Sequence, residues 1–217
     1  MLFSGTAGGG GDPHFYGFGG IFFTWQGHCD LILLKSPKCT NNNTELDIHI
    51  RTQRIRKWST INAIAIKSGE SVIEIESTEG VLVLNGNKAE SFKTNSLSVT
   101  RSIAKSSARL KKKIVVYDFV IDSDKMFSVE VNTRTQMVYV NLKGDYPQGT
   151  TGILGSPQDP GQFLRDGTNV TGQDVNEFVE DWQIRDTDPQ LFTRIEIHII
   201  LTNAFTIWRM SHQNLDV

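Results

Sequence analysis

A chain of 217 residues is long for one small domain and short for two, and all-β sandwiches often reach this size as single units. With 38% hydrophobic and 21% charged residues it can bury a core, yet no apolar run approaches the roughly 18 residues of a membrane span. Lys and Arg total 22 against 24 Asp and Glu, a net charge of -2 that argues against nucleic acid as a partner.

Met1 to Ala7 precedes a glycine run, Gly8 to Gly11. The basic leader and roughly 7–15 apolar residues of a secretory signal are absent from this chain, and residues 1–10 read as a flexible glycine-rich leader. No Gly-Lys-Ser/Thr follows the glycines, so they are not a phosphate loop.

Period-two alternation then recurs. It marks Leu46–Ile50, Ile61–Ile66, Val72–Glu76, Val81–Leu84, Val115–Ile121, Phe127–Val131 and Met137–Leu142 as strands. Turn signals separate them at Ser68-Gly69-Glu70, Glu79-Gly80, Asn85-Gly86-Asn87, Asp122-Ser123-Asp124 and Lys143-Gly144-Asp145. Asn85-Gly86 is the sharpest, because both residues tolerate positive φ. Short strands at this spacing predict an antiparallel β-sandwich, an all-β fold. One short C-terminal helix is expected over Asp174–Trp182, capped by Asp174, with Val175, Phe178, Val179 and Trp182 as its apolar stripe.

Two segments break the alternation. Arg101 to Lys113 carries six positive charges and no acid. Helical spacing would align Arg101, Lys105 and Arg109, with Lys111, Lys112 and Lys113 beyond, as a patch for sulfated polysaccharide or another acidic surface. The favoured expectation is a solvated loop between strands. The tail at 191–217 is apolar after Thr193, lacks turn signals and has uncertain status.

Cys29 and Cys39 are too few and wrongly spaced for zinc. From the residues alone, one short-loop disulfide and two separate thiols stand level. Asn42 and Asn169 head glycosylation triplets in expected loops. Asp12, His14 and His28 make only a weak metal cluster. No enzyme signature such as Gly-x-Ser-x-Gly is present.

Gly11-Asp12-Pro13-His14-Phe15 is followed by Phe18-Gly19-Gly20 and by Phe22 to Cys29 (FFTWQGHC). Far along the chain stands Gly152-Ile153-Leu154-Gly155-Ser156, then Asp166-Gly167 and the Val175, Phe178, Trp182 pattern. Opening and close together resemble a von Willebrand factor type D domain over about 11–190. The resemblance implies an extracellular or cell-surface, β-rich, non-enzymatic module of adhesive or matrix proteins. Its partner would be an extracellular protein or polysaccharide. The family context favours a Cys29–Cys39 disulfide, while Leu154 replaces the cysteine of the closing motif and makes disulfide-linked multimers doubtful.

The family often binds one calcium through the Asp of its opening turn and the loop after the closing motif. That Asp is Gly19 here. Ser156, Gln158, Asp159 and Asp166 remain as donors for a weak calcium site at most. Some members cleave themselves at the Asp–Pro bond of the opening motif. Asp12 would then be the nucleophile, Pro13 the leaving group and His14 the proton relay; the favoured expectation is that Asp12 and His14 merely hydrogen-bond in the turn. A third reading is a carbohydrate-binding sandwich using Trp25 or Trp58.

Overall fold

A computed structural model of the protein describes residues 2–37, 44–55, 57–94, 97–107, 112–121 and 124–193. Alternating side chains send one set of residues inward from each of two antiparallel sheets. One sheet holds β1 (Leu2–Gly10), β2 (His14–Tyr16), β3 (Phe22–Thr24), β10 (Phe92–Lys93), β11 (Leu97–Ser107), β12 (Lys112–Ile121), β13 (Asp124–Asn132) and β14 (Met137–Pro147). Its order is β10-β11-β12-β13-β14-β1-β2-β3. The other, in the order β4-β5-β6-β7-β8-β9, holds β4 (Asp30–Ser36), β5 (Leu46–Ile55), β6 (Trp58–Ser68), β7 (Ser71–Glu76), β8 (Leu82–Leu84) and β9 (Asn87–Ala89). Ile48, Ile50, Ile64, Ile66 and Ile75 face Val115, Tyr117, Phe119, Val129 and Val140 in one core.

The expected strands and the Asn85-Gly86 hairpin are found, with Asn85 at φ 46 and Gly86 at φ 82. The helix forms as α1 (Val175–Asp181), and the Asp174 carboxylate accepts from Asn176 N at 2.8 Å. Phe178 and Val179 are its buried face, and Phe178 meets Phe23 edge-on at 5.6 Å between centroids.

Three expectations need correction. The leader is not flexible: Leu2–Gly10 is β1, paired with β14 from Leu2↔Pro147 to Gly10↔Tyr139. Its glycines let rings lie on the strand. A Cβ at Gly9 would sit 2.3 Å from the Phe15 ring and one at Gly10 2.4 Å from Tyr139. The described residues of Arg101 to Lys113 are strand rather than helix or loop; they supply most of β11 and the start of β12, paired through Ser107↔Lys112. Arg109 and Lys111 lie outside the described residues. Lys143-Gly144-Asp145 is no turn but the middle of β14, where Gly144 pairs with Gly5. The tail after Thr193 lies outside the described residues.

Candidate functional site

β1 reaches its end at Gly10, and Gly11 at φ 64 turns the chain into Asp12-Pro13. Two backbone bonds hold this turn: Gly11 N donates to Val138 O at 3.2 Å, and Ile61 N donates to Gly11 O at 3.0 Å. The turn therefore touches both sheets. The Asp12 carboxylate accepts from Gln26 Nε2, and Gln26 Oε1 accepts from Ser59 N at 2.7 Å. One glutamine thus ties Asp12 to β6. His14 Nδ1 bonds Thr24 Oγ1 at 2.8 Å, its ring stacks on Phe22, and its Nε2 lies 4.0 Å from Asp12 Oδ2. Both side chains touch solvent, at 52% for His14 and 34% for Asp12. The sequence signals Asp12, Pro13 and His14 but not Gln26, whose role depends on a residue in another sheet.

The closing motif lies along β4. Lys35 and Thr151 exchange both backbone bonds at 2.8 Å, Ile153 N donates to Ile32 O at 3.2 Å, and Leu154 N donates to Leu33 O at 3.3 Å. From its other side Leu154 O accepts Phe18 N at 2.8 Å. The opening and closing motifs are therefore joined directly, as a sandwich that buries both requires. Leu154 is fully buried, so an apolar side chain fills the place of the family's cysteine.

Each donor named for calcium has a place in the fold. Gly19 stands at φ 84, and a Cβ there would lie 2.3 Å from Pro160 Cβ, so the prolyl ring occupies the space an Asp side chain would need. Ser156 Oγ accepts from Gln158 N at 3.2 Å. Asp166 Oδ1 accepts from Thr168 N at 2.8 Å, and this backbone bond lowers its carboxyl below the usual range. Asp159 is exposed. Among the described residues no three His, Cys, Asp or Glu side chains converge as a metal site. In particular, His28 Nδ1 accepts from Arg54 N at 3.3 Å rather than joining Asp12 and His14. Millimolar calcium should therefore stabilise the domain by no more than about 0.4 kcal/mol, the value for a Kd near the ligand concentration. Gly19→Asp should cost about 1–3 kcal/mol without creating a tight site, because it adds backbone strain and a clash. Calorimetry showing micromolar calcium binding to either protein would refute this.

Cys29 is half-buried at the head of β4, and burial, helped by Asp30, pushes its thiol up to about 12. Cys39 lies outside the described residues. The strand argues against their pairing. From Cys29 to Ser36, β4 advances about 23 Å at about 3.3 Å per residue. The three residues from Ser36 to Cys39 reach back at most about 11 Å. A bridge, with Cα atoms within about 7 Å, would pull β4 out of its sheet. Two thiols are expected on unreduced, denatured protein, with Cys29 slow to react until unfolding; an intact mass short by two hydrogens would show the bridge instead.

Asn169 is exposed, and its Oδ1 accepts from Thr171 N at 2.9 Å; Asn42 lies outside the described residues. Trp25 is buried and packs over Gly27, so it offers no platform to a sugar. Trp58 is 63% exposed. Of the basic patch, Arg101 sits opposite Tyr117 in mid-strand, and Lys105, Lys112 and Lys113 belong to the far end of the β11–β12 pair. Among the described residues no helix is long and apolar enough to cross a membrane.

No curated protein matches the chain. A family model, that of the von Willebrand factor type D domain, matches residues 8–158, from the glycines of β1 to the loop after the closing motif. With most of its length matched and both motifs bonded to each other in the fold, the chain belongs to the von Willebrand factor type D domain family, whose modules are typically extracellular and adhesive.

Proposed function

We propose that this domain is a non-catalytic binding and scaffolding module of an extracellular adhesive or matrix protein, with a protein or polysaccharide partner. The bond from Phe18 N to Leu154 O carries the reading, because it spends both family motifs on holding the sandwich together. Asp12 and His14 are likewise engaged by Gln26 and Thr24. Such a scaffold presents its loops at the two ends of the sheets, where partners bind. Intact mass after days at mildly acidic pH tests it: an uncut chain is expected.

The 4.0 Å approach of His14 Nε2 to Asp12 Oδ2 favours a second reading, slow self-cleavage at Asp12–Pro13. The Asp12 carboxylate would attack its own main-chain carbonyl carbon, and the C–N bond to Pro13 would break. The departing nitrogen would take a proton and water would open the resulting cyclic anhydride. Asp12→Ala abolishes this cleavage, and His14→Ala slows it if imidazole relays the proton. β1 stays paired with β14 over nine residues, so the cut peptide is expected to remain bound until denaturation. Fragments starting at Pro13 would replace the first reading; their absence in acid would remove the second.

A further inference from the structure

The strand registers bring two basic hairpins to one pole of the sandwich. In the six-stranded sheet the β5–β6 hairpin closes at Ile55↔Trp58. Its neighbours stop short: β4 pairs only as far as Arg51 and β7 only as far as Ala63. The hairpin therefore extends past the neighbouring strands by about 10–13 Å, at about 3.3 Å per residue, with residues 26–29 bonded along it through Arg54 N to His28 Nδ1 and Ser59 N to Gln26 Oε1. The bond from Ile61 N to Gly11 O sets this tip at the end of the other sheet where β1 and β14 meet the entry turn. At that end Asn132 pairs with Met137 across the β13–β14 turn, and Thr133 N donates to Lys113 O at 3.1 Å. The Ser107↔Lys112 end of the β11–β12 hairpin lies there too.

The chemistry of this pole is uneven. Ile55 is 42% exposed and Trp58 63%, on a tip that also exposes Arg54 and Lys57. Arg134 is exposed on the β13–β14 turn. Among the described residues no ion pair holds Arg54, Lys57, Lys113 or Arg134. Of the carboxylates near them, Glu79 is ion-paired with Lys88, while Asp12 is held by the neutral Gln26 amide and stands against four cations. A positive surface with an apolar tip stands on a protein of net charge -2.

We propose that this pole docks on an anionic lipid bilayer, with Ile55 and Trp58 seated among the headgroups and Arg54, Lys57, Lys113 and Arg134 facing lipid phosphates and carboxylates. The exposed apolar side chains stand at the closed end of a hairpin, with cations beside them. A sulfated polysaccharide would use the cations and stack on Trp58, and would leave Ile55 in water. A fluid interface uses all of them, since indole prefers the headgroup layer and basic side chains are drawn to an anionic leaflet. The proposal goes beyond the family reading and does not rest on it.

Sedimentation of the full chain with vesicles decides the matter. Binding is expected to equal parts phosphatidylcholine and phosphatidylserine, weakening with salt, and not to phosphatidylcholine alone. Trp58→Ala should weaken it about tenfold, as befits a large apolar side chain leaving its site. Lys57→Glu should weaken it about thirtyfold, because each charge near the leaflet counts about fivefold and the sign is reversed. Both residues are exposed, so thermal midpoints should stay unchanged and certify folding. Brominated lipid should quench the emission of wild type more than that of Trp58→Phe. Absence of vesicle binding, indifference to lipid charge, or wild-type affinity in Trp58→Ala overturns the proposal. Heparin binding without vesicle binding overturns it also and assigns the pole to a sulfated polysaccharide.

Discussion

Lowering the pH from 7 to 4.5 should destabilise the wild-type protein by about 2.5 kcal/mol through His49, and His49→Leu should remove that loss. Asp47, His49 and Arg51 alternate onto the outer face of β5. The segment after α1 crosses that face. Leu31 pairs with Gln183, Ile184 N donates to Asp30 O at 3.0 Å, and Arg51 lies 4.3 Å over the Phe192 ring. Thr193 donates to both carboxylate oxygens of Glu74, from N at 3.1 Å and from Oγ1 at 2.6 Å. His49 is sealed beneath it, and its buried Nδ1 finds no hydrogen-bond partner.

Burial pushes His49 down to about 4; Asp188 and Asp30 pull it up, while Lys35 and Arg165 push it further down. The unfolded imidazole binds its proton near pH 6.5. Between those values the unfolded state holds the extra proton, so stability falls as pH falls through that window and levels off below about 4. Asp47 works the other way: burial raises its carboxyl, so acidification through its raised value favours the folded state. Asp188 is also burdened by burial, but Arg185 N and Arg165 hold its carboxyl low, and it adds a loss at lower pH. Urea unfolding at the two pH values, in wild type and in His49→Leu, measures the difference. Equal pH dependence in the two proteins would mean that His49 is not the acid-sensitive group.

The strands legible in the sequence are those whose side chains write the pattern. In β5, β6, β7, β12, β13 and β14 apolar residues alternate because one face of each is turned to the core between the sheets. β1 is invisible to that test. Glycine has no side chain to alternate, and its packing comes from the rings of Phe15 and Tyr139 on neighbouring strands and of Phe18 in the turn after β2. β11 hides for another reason: Leu97 and Val99 are buried, but the basic residues after them dominate the reading. At the site, Asp12-Pro13-His14 is legible as a contiguous motif. Gln26 is not, because its partner Ser59 is 33 residues away. The loss of a calcium ligand is legible at Gly19, whereas the prolyl ring that closes the space comes from Pro160 in a distant loop. Trp25 and Trp58 look alike as sequence, and only the fold separates the buried ring from the exposed one.

Gly152→Ala should destabilise the domain by about 4 kcal/mol, far more than Gly86→Ala, which should cost about 1 kcal/mol. Both glycines have positive φ, 123° at Gly152 and 82° at Gly86, so both variants carry strain. Their surroundings differ. Nothing lies within 4 Å of a Cβ at Gly86. At Gly152 a Cβ would meet Leu33 O at 2.6 Å and Leu34 Cα at 2.9 Å. Those atoms are backbone of β4, held in the sheet by β5, and cannot swing aside as a side chain would. The closing segment has to lift instead, which lengthens the bonds from Ile153 N to Ile32 O and from Leu154 N to Leu33 O. It also displaces the Leu154 carbonyl that accepts Phe18 N and so loosens the tie between the motifs. At about 1 kcal/mol for each bond lost, added to the strain, the sum is a large part of a typical domain stability of about 5–15 kcal/mol. Urea midpoints of the two variants provide the comparison. If Gly152→Ala falls within about 1 kcal/mol of Gly86→Ala, the closing motif does not clasp β4 as tightly as its hydrogen bonds indicate.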